Sequence, residues 1–292
     1  QRVAEAPHEA VARPKLVSAA EIVAPLAPRD DAAIARAADA MPDAAERRAY
    51  WGETLPEESG GLPLGGHINR ALHDLLLQHQ EACVFGEDVA KKGGVYGITR
   101  SLHARVGPLR VFDTVIDEQT VLGFAIGAGQ AGLLPICEIQ YLAYVHNAID
   151  QLRGEAATLQ FFSNGQYQNP MVVRIAGYGY QQGFGGHFHN DNAVASLRDI
   201  PGLLVASPAL GDDAAGMLRT CVAAAKACGS VSVFLEPIAL YHTRDLYTDG
   251  DDGLAMAYSA QGSVPIGRAR VHGAGKDLLL VSFANGVPMS LR

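Results

Sequence analysis

The sequence predicts an α/β protein built on a parallel sheet, with helices on both faces. From residue 67 onward, helical and strand-like segments alternate along the chain, a pattern that is typical of βαβ units. Hydrophobic residues make up 48% of the 292 residues and charged residues 18%, so the chain can bury a sizeable core.

The predicted elements follow in order after a first helix over residues 67–79. Predicted strands cover residues 82–85, 110–115, 134–139, 171–176, 202–207 and 231–235. Predicted helices between them cover residues 121–131, 142–162 and 212–227. Asp212 lies at the amino end of the last predicted helix, where a negative charge interacts favourably with the helix dipole.

The segments that flank this alternation have a different composition. Residues 1–66 are rich in Ala, Pro, Glu and Arg, and they predict a linker or a wrapping arm. The main domain is expected over residues 67–241, and the polar residues 242–263 are predicted to form a linker. Residues 264–292 are expected to start a truncated C-terminal α/β domain with a buried strand over residues 277–283. The chain is therefore expected to be a fragment of a longer protein.

Composition excludes several classes of function. The formal net charge is −8 and no run of Lys or Arg occurs, which argues against a nucleic-acid partner. The four cysteines form no CxxC pair, so neither a disulfide scaffold nor a cysteine metal site is predicted. No apolar stretch approaches the roughly 18 residues that a membrane span needs. A cytoplasmic protein with no membrane partner is the expectation.

Polar clusters follow four of the predicted strands. In open α/β sheets, ligands bind beyond the carboxyl ends of the strands. The clusters lie at residues 86–88, 113–119, 138–141 and 177–192, and the last combines a glycine-rich stretch with His187 and His189. Carboxylates and imidazoles gathered at such ends suit proton-transfer chemistry. The glycine-rich stretch has no phosphate-loop pattern, so it predicts a mobile loop over a pocket.

These residues also have simpler interpretations. Glu118 could merely stabilise the dipole of the helix that follows it, and Glu87 and Asp88 could cap a turn. His187 and His189 have no third ligand at a known metal spacing. No metal site is predicted.

Several motifs together carry a specific resemblance. They are Phe85-Gly86-Glu87-Asp88-Val89, Gly93-Gly94-Val95-Tyr96, Arg110-Val111-Phe112-Asp113-Thr114, Asp117-Glu118-Gln119, Pro135-Ile136-Cys137-Glu138-Ile139-Gln140, Asp150-Gln151 and Phe234-Leu235-Glu236-Pro237. In this order and spacing, the chain resembles the β subunit of pyruvate and branched-chain 2-oxo acid dehydrogenases over about residues 67–292.

The resemblance implies a transketolase-like domain that binds the aminopyrimidine half of thiamine diphosphate. It implies that Glu118 hydrogen-bonds the pyrimidine ring nitrogen, where a carboxylate favours the imino tautomer that activates the cofactor. It places Ile116 against the cofactor, Gln140 near the pyrimidine and Tyr144 as the stacking aromatic. It also assigns His189 as the active-site histidine that assists the intermediate and transfer to a lipoyl group.

The resemblance also implies partners. No Gly-Asp-Gly motif for diphosphate and Mg²⁺ occurs, so an α subunit or α segment is expected to hold the metal in an α2β2-type assembly. A lipoyl-bearing acyltransferase is the expected acceptor, and the substrate is a 2-oxo acid whose identity stays open. Asn190-Asp191-Asn192 stands where the family usually has Ser-Gln-Ser, which leaves the hydrogen bonding of this loop open.

Two other functions remain open from the sequence. Glu118 would have the same role in another transketolase-like enzyme that transfers a ketol group. Alternatively, the chain could be a noncatalytic assembly domain. Gly123, Gly127 and Ala128 in the predicted helix 121–131 are compatible equally with a subunit interface and with tight packing inside the domain.

Overall fold

A computed structural model describes residues 2–179 and 185–292, and its centre is one parallel sheet. The strands are β1 (Ala82–Gly86), β2 (Val111–Asp113), β3 (Leu134–Ile139), β4 (Met171–Gly177), β5 (Leu203–Ala206) and β6 (Val231–Pro237). Their order across the sheet is β2-β1-β3-β4-β6-β5, and every pairing is parallel. The predicted α/β class and parallel sheet are confirmed.

Helices connect the strands and extend to both ends of the chain. The α-helices are α1 (Arg2–Ala12), α2 (Ala19–Val23), α3 (Asp31–Ala38), α4 (Ala44–Trp51), α5 (Leu64–Gln78), α6 (Leu102–Val106), α7 (Glu118–Gln130), α8 (Leu159–Phe162), α9 (Val194–Arg198), α10 (Gly211–Cys228) and α11 (Gly286–Leu291). Short 3₁₀ helices occur at Pro56–Glu58, Leu142–Ala148, Gly186–His189 and Ile238–Leu240.

The sheet is covered on both faces, and successive strand residues alternate between two cores. In β1, Val84 packs with α5 and α10 on one face, and Phe85 packs with α7 and residues 142–157 on the other. β3 divides in the same way, with Ile136 in the first core and Cys137 in the second. Because both faces are covered, the strands read as continuous apolar runs rather than as alternating ones.

The long helix predicted over residues 142–162 is wrong as a single element. The segment consists of the 3₁₀ helix Leu142–Ala148, a π-helical turn at Gln151–Ala156 and α8. Apolar periodicity does not distinguish these helical forms, because all of them keep one face towards the core. The difference matters because side chains three residues apart lie one above the other in a 3₁₀ helix.

The buried strand predicted over residues 277–283 is also wrong. This segment is irregular, and Leu279 is 82% exposed. A buried strand needs a neighbouring strand for its backbone groups and a covering layer for its side chains. Within residues 2–179 and 185–292, no strand pairs with this segment.

The amino-terminal residues pack against the main body at two places. Ile34 and Ala38 of α3 form a small apolar cluster with the carboxyl half of α10. Arg47 of α4 is only 5% exposed and forms ion pairs with Glu57 and with Asp74 of α5. Both apolar and polar contacts therefore join this segment to the main body.

Candidate functional site

The carboxyl ends of the strands meet at one edge of the sheet, and this edge contains a topological switch point. The connection after β1 leads to β2 on one side, whereas the connection after β3 leads to β4 on the other side. Ligands in open α/β sheets bind in the crevice that such diverging connections leave. The segments after β1 and β3 begin with Glu87 and Gln140, two positions that the sequence had also singled out.

Glu87 and Gln140 contact each other across this switch point. The side chain of Gln140 hydrogen-bonds Glu87, and both residues are partly buried. Burial, followed by the nearby carboxylates of Asp88 and Glu118, raises the pKa of Glu87. Gly86 allows this close arrangement, because a Cβ at its position would lie 2.6 Å from the carbonyl oxygen of Glu138.

Glu118 is the first residue of α7. Asp117 is the N-cap, and its carboxylate accepts from the backbone N–H of Thr120 at 3.3 Å. The Glu118 side chain is therefore not needed for capping. Instead its Oε2 accepts a hydrogen bond of 3.2 Å from Nδ2 of Asn147, and the residue remains partly exposed at the crevice.

Tyr144 and His189 are brought together by the 3₁₀ helix Leu142–Ala148 and the loop before α9. Nδ1 of His189 lies 3.0 Å from the carbonyl oxygen of Gly185, so this nitrogen carries the hydrogen in the neutral ring. Nε2 is then the acceptor for the hydroxyl of Tyr144 at 3.1 Å. Tyr141 packs its ring edge against His189, with centroids 4.4 Å apart.

The 3₁₀ helix Leu142–Ala148 is thus the element that joins the two predicted catalytic side chains. Tyr144 and Asn147 are three residues apart, so they lie on one side of this helix. Tyr144 contacts His189 and Asn147 contacts Glu118. Ile116, two residues before Glu118, is 77% exposed at the same edge of the sheet.

A buried ionic cluster lies below the crevice. Arg174 of β4 is 1% exposed and bonds Glu236 through two nitrogens at 2.6 and 2.9 Å. A third nitrogen bonds Glu138 at 2.7 Å, and the hydroxyl of Tyr241 donates to Glu236 at 2.6 Å. Burial raises the pKa of Glu138 to about 7, although Arg174 beside it favours the charged form. Gln140 and these residues line a cavity of about 10 Å³, which is about the space of one water molecule.

Two of the three glycines of α7, Gly123 and Gly127, face away from the domain, whereas Gly129 is buried against it. A Cβ at Gly123 or Gly127 would meet nothing within 4 Å, whereas Leu122 and Ala125 are buried in the core. Tight packing inside the domain therefore does not explain these two glycines. A subunit interface on this side of α7 stays a prediction.

Sequence reasoning missed two of the residues that organise the site. His146 and Asn147 lie in a segment that was interpreted as an ordinary helix, and their signal is a polar pair inside the apolar stretch of residues 142–149. Residues 180–184 of the predicted glycine-rich loop and the side chain of His187 lie outside the described part of the chain.

Among the described residues, no three His, Cys, Asp or Glu side chains could hold a metal ion together, and no helix could cross a membrane.

Comparison with known proteins gives consistent matches. The family described as transketolase, pyrimidine binding domain, matches residues 63–242. The chain is 32% identical to the 3-methyl-2-oxobutanoate dehydrogenase subunit beta of Mycobacterium tuberculosis, and the alignment covers 86% of this chain and 69% of the relative. It is 32% identical to the pyruvate dehydrogenase E1 component subunit beta of Staphylococcus epidermidis, over 77% of this chain and 65% of the relative. The chain therefore spans about two thirds of the length of these relatives.

Among solved structures, one similar chain is described as a split gene transketolase, inactive beta4 tetramer. The TM-score is 0.48 and the sequence identity 18%, and the match covers 64% of this chain and 54% of that chain.

Proposed function

This chain belongs to the transketolase pyrimidine-binding family, and within it to the β subunits of pyruvate and branched-chain 2-oxo acid dehydrogenases; from that membership we propose that it supplies the aminopyrimidine half of a thiamine diphosphate site. The enzyme that it completes would decarboxylate a 2-oxo acid and reductively acylate a lipoyl group on an acyltransferase partner. The observation that carries this proposal is that one short helix, Leu142–Ala148, contacts both Glu118 and His189.

The donor and acceptor groups of this chain fit an aminopyrimidine. A ring nitrogen needs a carboxylate partner, and the carboxylate of Glu118 is partly exposed at the crevice. The amide of Gln140, which is oriented by Glu87, suits the exocyclic amino group. Ile116 and Tyr144 would form the apolar and aromatic walls of the pocket.

Each of these residues would have a separate chemical task. Thiamine diphosphate, when bound, supplies a carbon nucleophile for the 2-oxo group and accepts the electron pair that departing CO₂ leaves. Glu118 would hold the hydrogen bond that keeps the pyrimidine in its reactive tautomer. Nε2 of His189 is the nitrogen without a hydrogen in the neutral ring, and it would exchange a proton with a substrate oxygen once the hydroxyl of Tyr144 turns away from it.

The rest of the site is proposed to come from an α subunit or α segment. The diphosphate and its Mg²⁺ need ligands of another kind, and we propose that the α part holds them in an α2β2-type assembly. The outward glycines of α7 suit a close helix contact in such an assembly. A cytoplasmic location and the choice among pyruvate, branched-chain and related 2-oxo acids stay predictions.

The first experiment is a titration of thiamine diphosphate with Mg²⁺. The cofactor is added to this chain alone, and then to the chain mixed with a candidate α partner, while decarboxylation of several 2-oxo acids is followed. We expect binding and turnover only in the completed assembly. Tight Mg²⁺-dependent binding by the chain alone would contradict the half-site proposal, and an assembly without any turnover would favour a noncatalytic assembly domain.

A further inference from the structure

The loop that carries His189 has few apolar anchors. We call residues 185–193, between β4 and α9, the histidine loop. Among its residues with described side chains, none is buried, and Phe188 is 59% exposed. The first fully buried side chain after the loop is Leu197 in α9. Besides the packing of the His189 ring against Tyr141 and Tyr144, polar contacts help to position the histidine loop, and a small change in free energy can alter such contacts.

Asp191 makes two of these polar contacts at once. Its Oδ1 accepts a 2.6 Å hydrogen bond from the backbone N–H of Ala193 and so forms a turn within the loop. Its Oδ2 lies 3.1 Å from Nε2 of His146, which donates because a carboxylate can only accept. The side chains of Asp191 and His146 are 25% and 46% exposed.

The contact joins the histidine loop to the element that organises the site. His146 lies in the 3₁₀ helix Leu142–Ala148, two residues after Tyr144 and one before Asn147. Two of the described hydrogen bonds join the loop to this helix, His189 with Tyr144 and Asp191 with His146. Two separate contacts restrict the orientation of the loop relative to the helix more than either contact alone.

We propose that Asp191 and His146 are positioning residues that hold His189 at the active site. This inference rests on the proposed function, in which His189 acts on the substrate. A partly exposed contact between an imidazole and a carboxylate contributes little to global stability. It can still decide the position of a weakly anchored loop, because a displacement of about 1 Å at a reacting group can cost up to 100-fold in rate.

The variants Asp191→Ala and His146→Ala, alone and combined, test the proposal in two ways. Amide hydrogen exchange of the chain itself reports on the loop without requiring activity. We expect faster exchange across the histidine loop in both variants. The amide of Ala193 should lose protection in Asp191→Ala well beyond the loss in His146→Ala, because only the first change removes its acceptor. In the assembled enzyme, we expect kcat to fall about 3-fold to 10-fold with KM changed less than about twofold.

Conservative variants and a matched control sharpen the result. The variant His146→Gln keeps a side-chain donor for Asp191, so it should retain most of the wild-type kcat that His146→Ala loses. Asp199 forms an exposed pair with Arg198 at 2.9 Å in the segment after α9, so Asp199→Ala removes the same charge and should change neither readout. The kcat of the double variant should fall no further than that of the worse single variant, because both single changes break the same contact between Asp191 and His146.

The proposal is overturned if loop exchange is unchanged in both alanine variants, if kcat is unchanged, or if Asp199→Ala has the same effects. A wild-type assembly that decarboxylates no 2-oxo acid contradicts the proposed function instead. In that case hydrogen exchange still decides whether Asp191 and His146 hold the loop. An active wild type with unchanged kcat in the variants leaves the proposed function intact and refutes the positioning roles.

Discussion

Two carboxylates of this chain differ in how fully their oxygens are used. Asp74 of α5 is 4% exposed and lies where the amino-terminal segment meets the main body. It accepts hydrogen bonds from two nitrogens of Arg47 at 3.0 and 3.1 Å, from Nε1 of Trp51 at 2.8 Å and from the hydroxyl of Tyr258 at 3.0 Å. Four donors fill the acceptor capacity of a carboxylate. Asp74 therefore has no capacity left for a ligand.

Glu118 is the opposite case. It is partly exposed, and within the described part of the chain its side chain accepts one hydrogen bond from another side chain, that of Asn147. This single bond leaves acceptor capacity on a side chain that solvent can reach. The comparison teaches that a carboxylate saturated by its own chain holds the fold together, whereas an unsaturated one at a switch point is available for a ligand.

The variant Glu118→Gln gives the sharpest test of this contrast and the largest expected effect. If Glu118 has the proposed role, removing its charge should lower kcat of the assembled enzyme by about 10² to 10⁴-fold. Thermal unfolding should change little, because only a helix-dipole contribution of about 0.3–1 kcal/mol is lost. Steady-state kinetics and the melting temperature measure the two effects separately. Unchanged turnover would refute the catalytic role, and a lost assembly would favour a structural one.

The variant Asp74→Ala should show the reverse pattern. It leaves the buried donors Arg47 and Tyr258 and the partly buried donor Trp51 without this acceptor, so we expect a loss of about 3–5 kcal/mol in the free energy of unfolding. Urea denaturation of the chain measures the loss. The control is Asp150→Ala, which removes an exposed carboxylate paired with Arg153 at 2.8 Å and should cost less than about 1 kcal/mol. Equal costs for both variants would remove the distinction between the two regions.

The region around Asp74 should also make stability depend on pH. Burial lowers the pKa of His73, one residue before Asp74, to about 4. As pH falls, the imidazole of His73 therefore binds a proton at a higher pH in the unfolded chain than in the folded chain. The contribution of His73 to the free energy of unfolding is fully present above the ordinary pKa of about 6.5 and is lost as pH falls towards 4. The full loss is about 3 kcal/mol, from about 1.4 kcal/mol per pKa unit.

Urea denaturation between pH 7 and pH 4 measures this dependence. His79, whose pKa burial also lowers to about 4, adds a similar contribution to the wild type. The variant His73→Gln keeps an acceptor for Tyr50, which lies 2.5 Å from Nδ1 of His73, and should lose only the His73 share of the slope. An identical slope in the variant would contradict the role of His73.

The sequence was sufficient for the sheet but not for the details of the site. Short apolar runs bounded by glycine and polar residues marked each strand, and β3 was predicted with the same bounds that the structure has. Local patterns succeed best for β1, β3, β4 and β6, because these four strands are buried or nearly buried along their whole length. The strand predicted over residues 277–283 failed, because whether an apolar run becomes a strand depends on neighbours that its own sequence does not specify.

Some site residues could likewise be found from local sequence, whereas others could not. Glu118 could be selected because it follows a strand and begins a helix, and its family motif surrounds it. The contact between His146 and Asp191 spans 45 residues and depends on a 3₁₀ helix instead of an α-helix. Neither the helical form nor such a distant contact can be read from local periodicity.

The smallest expected effect comes from Asn147, the side chain that donates to Glu118 within the described part of the chain. Asn147→Ala removes the 3.2 Å hydrogen bond to Oε2, and because the contact is partly exposed we expect a loss of about 1 kcal/mol of transition-state stabilisation, or about fivefold in kcat. Asn147→Asp should cost more, because it places a second carboxylate beside Glu118. Both variants should melt at the wild-type temperature, since the contact lies outside the cores. If Asn147→Ala leaves kcat unchanged, the position of Glu118 at the start of α7 is sufficient to orient its side chain. The 3₁₀ helix Leu142–Ala148 would then contribute to the site only through its contact with His189.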